Sequence, residues 1–273
     1  MMEQVEAVDL KDIVLANASF GPNEIDQIVQ AVSAEYSNLS TLRDSVGELE
    51  TQGELSPATA VRLGVCYYFL SRYERALETL KNADGGALAL FYLGKTYVEL
   101  RDYENAIASF TAAKGAGYDG DVCALSIAEV ERIRGNAEKA LAMLDELFGP
   151  VEQTPEYLYQ RGATVAAIGG NPMEVVALYE RALDTDDSHS GALFGLALEN
   201  DRRGNDQNAL GLYQRSVSCF PSHVGALLNL GILYEDRGQF ERAASCYQRI
   251  LDSHPAPERA RLFFKDATAS SDM

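Results

Sequence analysis

A 34-residue period is the feature of this sequence that most constrains its fold. The segments 196–221 and 230–255 carry a leucine, a small residue, an alanine, a tyrosine and a proline at the same offsets. The same pattern recurs earlier in the chain at Leu93-Gly94 and at Leu63-Gly64. A fixed interval of roughly 20 to 50 residues is typical of proteins that stack one supersecondary unit many times. The period therefore predicts a repeat fold built from short units.

The small residues recur where closely packed helices would need them. Six copies of the period contain 18 such positions, of which fifteen are Gly, Ala or Ser; the chain's composition alone would give about five. The exceptions are Leu147, Val175 and Ile250. Small side chains let two helix backbones approach each other, so the pattern favours an antiparallel helix pair in each copy.

Turn and cap residues agree with the period. Glycines at 135, 204 and 238 stand where a helix needs a left-handed residue at its C-terminal end. Ser56-Pro57 and Thr154-Pro155 offer an N-cap followed by proline in the first turn. The fourth copy has an extra residue in its turn, within Gly169–Pro172, and carries Val175 at a small position. We expect a distorted turn or splayed helices there.

On these residues the chain resembles the tetratricopeptide repeat (TPR) family over about 200 residues. The resemblance implies an all-α, right-handed superhelical solenoid of helix-turn-helix repeats with capping helices at both ends. The predicted organisation is an N-terminal segment with capping helices at 1–56, six repeats within 57–257, and a C-terminal capping helix with a frayed tail at 258–273. The six repeats are bounded at 57–86, 87–120, 121–154, 155–189, 190–223 and 224–257.

The N-terminal segment holds two helical stripes without the small-residue pattern. Ile25, Ile28 and Val32 form one stripe, and Leu39 and Leu42 begin the other. They are interpreted as a divergent cap. Residues 1–20 either pack on this cap or reach into the groove of the repeats.

In the TPR family the first helices of the repeats line a concave groove that binds a partner. The resemblance places the second, fifth, ninth and twelfth positions of each repeat in that groove, and Asn229 resembles one rung of an asparagine ladder. An exposed apolar stripe of this kind is typical of a site for a peptide or helix of a partner protein. The predicted groove residues are Val61, Tyr68, Phe91, Lys95, Leu125, Glu129, Arg132, Tyr159, Phe194, Leu198, Leu228, Asn229 and Ile232.

Some TPR proteins hold a chaperone's carboxylate tail with Lys and Asn at the fifth and ninth positions. Here those positions hold Val61 and Val65, Phe91 and Lys95, or Leu228 with Ile232. The clamp is missing, so chaperone-tail binding is disfavoured.

Charge and composition exclude several classes of function. A formal charge of −18 disfavours direct binding of nucleic acid by this segment and is compatible with a basic partner. No apolar run is long enough to cross a membrane, and the start lacks the basic residues of an export signal, so a cytoplasmic location is predicted. The four cysteines have no metal-ligand spacing. His189 and His223 fall 34 residues apart and are interpreted as surface turn residues. No catalytic residue, metal site or cofactor is predicted, and the chain is interpreted as a non-enzyme.

Two functions follow as hypotheses. The first is a non-catalytic scaffold that binds a protein or peptide ligand in the groove. The second is the N-terminal assembly module of a longer chain with a role in transcription. It follows from a looser resemblance to bacterial proteins that place these repeats before a domain like the C-terminal domain of the RNA polymerase α subunit. Self-association into a homo-oligomer is also open, because the edges of solenoids often pair.

Overall fold

The computed structural model describes residues 9–16, 20–35, 37–52, 55–221 and 223–253, together with Phe263, Phe264 and Ala267. Over these residues the regular structure is helical and no strand occurs, which confirms the predicted all-α class. The described α-helices are α1 Leu10–Leu15, α2 Pro22–Ala34, α3 Asn38–Glu50, α4 Pro57–Phe69, α5 Tyr73–Lys81, α6 Ala87–Glu99, α7 Tyr103–Gly115, α8 Gly120–Ile133, α9 Ala137–Asp145, α10 Pro155–Ala167, α11 Pro172–Thr185, α12 Ser190–Arg202, α13 Asp206–Cys219, α14 Val224–Glu235 and α15 Phe240–Ser253.

The chain divides into two compact units, Met1–Val130 and Glu131–Met273. In the first unit, α4 packs against α5 and α6 against α7. In the second, the antiparallel pairs are α10 with α11, α12 with α13 and α14 with α15, and consecutive pairs also contact each other. This is the helix-pair arrangement that the period predicts.

Close approach within each pair depends on the small residues of the pattern. Ala76, Ala106 and Ala209 are fully buried. Gly231 of α14 lies against the Tyr247 ring, and a methyl group at Gly231 would stand 2.3 Å from Tyr247 Cε1. Because protein interiors are close-packed, such a position accepts only glycine unless the neighbouring ring moves.

Six turns share one hydrogen-bond pattern: the five within the helix pairs named above and the one that joins α8 to α9. In each turn a residue with positive φ is followed by an N–H that donates to the carbonyl five residues earlier, over 2.8–2.9 Å. This is the Schellman motif, which satisfies carbonyls that the helix end would otherwise leave unpaired. The left-handed residues are Ser71, Arg101, Gly135, Gly169, Gly204 and Gly238.

The fourth turn is not distorted, so this part of the expectation is wrong, while the alternative of splayed helices stays a prediction. Gly170 N donates to Val165 O over 2.9 Å, as in the other turns. The extra residue, Asn171, extends the turn by one position and caps α11, since its Oδ1 accepts the Met173 N–H. The insertion is absorbed because a cap residue needs only extended backbone. Val175 is buried at its position within the pair.

Both proline-marked helix starts are confirmed. Ser56 accepts the Thr59 N–H, and Thr154 accepts the Tyr157 N–H. At the N-terminal side, α1 packs along α3, where Leu10, Val14 and Leu42 are buried.

At the C-terminal side, Phe263 and Phe264 pack against the buried cluster around α14 and α15. The Phe263 ring centroid lies 5.6 Å from that of Tyr247. The remainder of the capping helix predicted at 258–273 lies outside the described residues.

Candidate functional site

The predicted groove residues fall on both units. The first unit holds the six from Val61 to Glu129, and the second holds the seven from Arg132 to Ile232. Each group is described within its own unit. Their environments differ, and the difference decides which group has side-chain surface left for a ligand.

In the first unit, the apolar members of the set are buried by their own chain. Val61 and Phe91 are each 6% exposed and Leu125 is 5% exposed. The Phe91 ring stacks on Tyr118, with centroids 4.2 Å apart and planes 8° apart. These side chains contribute to the core and leave little apolar surface to a partner.

The polar members of the first unit gather around the Tyr68 ring. The Lys95 ammonium lies 5.8 Å from the centroid of Tyr68 and 5.9 Å from that of Phe91, within the range of a cation–π interaction. Burial among aromatic rings raises the pKa of the Tyr68 hydroxyl, and the charges of Glu99 and Glu129 add to the shift.

In the second unit, two aromatic side chains each lie against a glycine of the first helix in the following repeat. The Tyr159 ring covers Gly191, where a methyl group would stand 2.8 Å from Tyr159 Cζ. The Phe194 ring covers Gly225 in the same way, with a corresponding distance of 2.9 Å. Both rings remain partly exposed. The glycine at the second position of a first helix therefore contacts the aromatic ring from the first helix of the preceding repeat. We call each such glycine, with the ring that lies on it, a seat.

A histidine borders each of these rings. His189 lies 5.2 Å from Tyr159, and His223 lies 4.7 Å from Phe194, measured between ring centroids. Both histidines lie in the turns between repeats, as predicted, but each is a partly buried N-cap and not a fully exposed surface residue. Nδ1 of His189 accepts the Ala192 N–H over 3.1 Å, and Nδ1 of His223 makes the equivalent bond to Ala226 over 3.2 Å.

The cap hydrogen bond fixes the tautomer of each ring. Because Nδ1 of His189 is an acceptor, the proton resides on Nε2, which donates to Glu156 Oε2 over 3.1 Å. The neutral form of His223 is favoured further, because burial lowers its pKa to about 4. The signal that could have found these residues is the recurrence of His-x-Gly-Ala-Leu at 189 and 223.

Aliphatic and amide side chains continue the surface beyond the two rings. Leu198 and Leu228 pack against the C-terminal core cluster while remaining partly exposed, and Ile232 is partly exposed as well. Asn229 Nδ2 donates to the Tyr213 hydroxyl over 3.1 Å. We call the set Tyr159, Phe194, Leu198, Leu228 and Ile232 the second-unit face.

A short polar row borders the second-unit face at α10. Arg132 Nη2 donates to Gln160 Oε1 over 3.3 Å, and Gln160 Nε2 donates to Glu156 Oε1 over 2.8 Å. Glu156 also accepts from His189. This row holds the imidazole beside the Tyr159 ring in one orientation, which keeps the aromatic seat ordered.

Within the described ranges, no three His, Cys, Asp or Glu side chains come together in a way that could hold a metal ion. The described cysteines form no disulfide, and burial raises the pKa of the Cys66 thiol to about 12. In the described part of the chain, no helix combines the length and the apolar character that a membrane crossing requires.

Comparison with known proteins identifies the class. Two tetratricopeptide repeat models match the sequence, one at residues 226–261 and the other at residues 61–121 and 163–224. Together the matches cover more than half of the chain, so the protein belongs to the tetratricopeptide repeat family. The recognition made from the period is confirmed. The repeat is a protein-interaction scaffold. No curated protein matches the chain.

Solved structures show the same fold at low identity. A tetratricopeptide repeat protein from Parabacteroides merdae superposes with a TM-score of 0.59 at 13% identity, covering 90% of this chain and 100% of that one. A chain of the APC/C hetero-tetramer Cut9–Hcn1 superposes with a TM-score of 0.57 at 12% identity, covering 91% of this chain. This chain spans only 49% of that second protein. At such identities the likeness concerns the fold alone.

Proposed function

We propose that the protein is a non-catalytic scaffold and that it binds a peptide segment of a partner on the second-unit face. The observation that carries the proposal is the pair of partly exposed aromatic rings, Tyr159 and Phe194, each seated on a glycine and bordered by a capping histidine. Ordered aromatic rings offer large contact areas at a small cost in side-chain entropy.

The composition of the face indicates the chemistry of the ligand. Three aliphatic side chains accompany the two rings, so apolar side chains of the partner would supply most of the binding free energy. The net charge of −18 favours a partner that also carries basic residues, since the field of the protein would speed their encounter. That contribution falls as salt rises.

The experiment is a quantitative capture of the partner from host lysate. The test variant is Tyr159→Ala with Phe194→Ala. The matched control is Phe148→Ala with Met173→Ala, which removes apolar side chains that are 84% and 76% exposed and lie off the face.

We expect the control to recover the same partner as the unaltered protein and the test variant to lose at least nine-tenths of it, with both variants remaining helical by circular dichroism. Equal recovery by the two variants would contradict the proposal. The alternative role as an assembly module of a longer transcription-related protein stays a prediction, as do a cytoplasmic location and self-association.

A further inference from the structure

The seventh position of the first helix departs from the repeat pattern in one copy. In five of the six repeats this position holds leucine or isoleucine, and Leu63, Leu93 and Leu230 are buried there. The fourth repeat has Arg161 at this position, on α10, with 28% of its side chain exposed. Because a partly buried guanidinium needs hydrogen-bond acceptors, Arg161 requires polar neighbours that a leucine does not.

The helix that precedes α10 ends early. α9 comprises nine residues, whereas its counterparts α11 and α13 comprise fourteen each. Gly149 has a φ of 93° and is followed by Pro150, so the helix cannot continue through this stretch, and the chain forms a single 3₁₀ turn before α10. The connection therefore spans 146–154, whereas those before α12 and α14 span only 186–189 and 220–223.

An arginine at the same place in three consecutive repeats shows what the longer connection changes. Arg181, Arg215 and Arg249 follow one another at intervals of 34 residues. Arg215 and Arg249 each donate to a backbone carbonyl in the connection before their repeat, over 3.0 and 2.7 Å. Arg181 reaches only the Gln153 side chain, with 3.4 Å between Nη2 and Oε1, which is longer than an ordinary N–H···O hydrogen bond. The Arg181 guanidinium is therefore held less firmly than its counterparts.

These three differences meet at one open cleft of about 260 Å³ in the second unit, which both Arg161 and Arg181 line. Arg161 Nη1 donates to Asp145 Oδ1 over 2.6 Å and to the Tyr157 hydroxyl over 3.3 Å. The Asp145 side chain is 54% exposed. It is the acceptor that an incoming anion would replace, since its carboxylate can turn to water without being buried.

The charges of the cleft indicate the kind of anion that could replace Asp145. Glu152 also lines the cleft, and its Oε2 accepts the Gly149 N–H over 3.0 Å, so two carboxylates balance the two guanidinium groups. A competing ligand must therefore bring more negative charge than one carboxylate, and acceptors for both arginines. A phosphoryl group has three acceptor oxygens and a charge of about −1.5 to −2 at pH 7.

From this geometry we propose that the cleft binds a phosphoryl group, which bridges the guanidinium groups of Arg161 and Arg181 and releases Asp145 to water. Planar guanidinium groups match the oxygens of a phosphate in paired hydrogen bonds. Tyr157 and Arg161 are one helical turn apart on α10, and Tyr159 lies between them on the other side of the helix. The site is thus separate from the second-unit face and goes beyond the proposed function.

The first experiment uses the unaltered full chain and follows the Nε–H signals of its arginines by nitrogen-15 NMR while inorganic phosphate is added at constant ionic strength. We expect the signals of Arg161 and Arg181 to shift and saturate, and those of Arg215 and Arg249 to stay in place. Equal shifts at all four arginines, or no saturation, would overturn the proposal.

The second experiment titrates a blocked pentapeptide with a central phosphoserine by isothermal titration calorimetry. Arg161→Met with Arg181→Met should weaken binding at least tenfold. Asp145→Asn should strengthen it at least threefold, because the variant removes the internal competitor for Arg161. Arg215→Met is the matched control, since it removes the equivalent arginine of the next repeat, and it should keep the affinity within a factor of two.

Two results of this titration would overturn the proposal. One is an Asp145→Asn protein that binds the phosphopeptide no more tightly than the unaltered protein does. The other is equal weakening by Arg215→Met and by the double variant. Circular dichroism checks that each variant remains helical, and the NMR titration decides the matter if the double variant fails to fold.

Two further arms distinguish the sources of the phosphoryl group. The same peptide with unmodified serine should not bind. An affinity for the phosphopeptide at least fivefold above that for inorganic phosphate would assign the cleft to a phosphorylated side chain of a partner, and equal affinities would assign it to free phosphate. Absence of saturable binding by both would overturn the proposal, and it would leave capture through Tyr159 and Phe194 unaffected.

Discussion

The two units are built from the same kind of helix pair, but the side chain at the fifth position of the first helix differs in exposure between them. Phe91 in the first unit is stacked on Tyr118 and buried, whereas Phe194 in the second unit stays partly exposed beside His223. In both cases the ring that contacts the phenylalanine belongs to a residue just before the first helix of the next repeat, Tyr118 or His223. The entering loop supplies a ring in both units, so the difference teaches that further packing, here the α2 segment around Ile25 beside Phe91, determines whether this position belongs to the core or to the surface.

The turns differ between the units in a second way. The two turns of the first unit hold Ser71 and Arg101 in the left-handed region, at φ of 56° and 61°, whereas all four turns of the second unit hold glycine there. Side chains with a Cβ are strained in this region. The hydrogen bonds of the motif and the packing of the pair therefore override local preference in the first unit.

The largest expected effect comes from truncating the two equivalent aromatic residues. Phe91→Ala should lower the free energy of unfolding by about 3 to 5 kcal/mol, because it empties a buried and stacked site. Phe194→Ala should cost less than about 2 kcal/mol, because its ring is partly in water already. Urea unfolding followed by circular dichroism measures both, and equal losses would erase the contrast between the units.

The capping histidine of the second unit should make stability depend on pH. Burial lowers the folded-state pKa of His223 to about 4, below its ordinary value of 6.5. Between these values the unfolded state binds more protons, so stability falls as pH falls from 6.5 to 4, by on the order of 2 to 3 kcal/mol.

The measurement is the urea midpoint at pH 7 and pH 4.5 for the unaltered protein and for His223→Asn, which keeps a capping side chain. The variant should lose less stability on acidification than the unaltered protein. Parallel losses would show that His223 does not carry the effect.

The glycine seats allow binding to be separated from folding. In Gly225→Ala the new methyl group displaces the tip of the Phe194 ring. Alanine also has a higher intrinsic helix propensity than glycine, which favours α14. Stability should therefore change by less than about 1 kcal/mol while capture of the partner falls at least fivefold.

Gly211→Ala is the matched control, because nothing lies within 4 Å of a Cβ at that helical position. Gly211→Ala should raise the free energy of unfolding by about 0.5 to 1 kcal/mol and leave capture of the partner unchanged. Undiminished capture by Gly225→Ala would remove the role assigned to the seat.

The smallest effect concerns the left-handed turns. Arg101→Gly should raise the free energy of unfolding by about 0.5 to 1 kcal/mol, since strain at φ of 61° is relieved. Gly204→Ala, at the equivalent turn of the second unit, should lower it by about 1 kcal/mol. Thermal melts of both variants check the signs, and a destabilised Arg101→Gly protein would contradict the assignment of strain.

Much of the fold could be predicted because it depends on local patterns. The glycines at 135, 204 and 238, and the caps at Ser56 and Thr154, act within a few residues of chain, and the structure has them as expected. The period itself identified the helix pairs. Ser71 and Arg101 could not be found in this way, because only tertiary packing holds them in a conformation their residue types disfavour.

The surfaces were harder to anticipate because exposure depends on contacts distant in sequence. Phe91 and Phe194 occupy the same repeat position, and nothing at that position distinguishes them. Burial of Phe91 follows from Tyr118 and from the α2 segment around Ile25. The seats at Gly191 and Gly225 do have a sequence signal, the repeated His-x-Gly pattern, but that pattern does not show that a ring from another helix lies on the glycine.

Site-specific photo-crosslinking tests the central claim most directly. A benzoylphenylalanine residue is placed at Leu198 on the second-unit face and, as a control, at Gln214, which is exposed on α13. The account predicts that Leu198 crosslinks to a single partner segment rich in apolar side chains and that Gln214 does not. Crosslinking of that partner at Gln214 but not at Leu198 would contradict it.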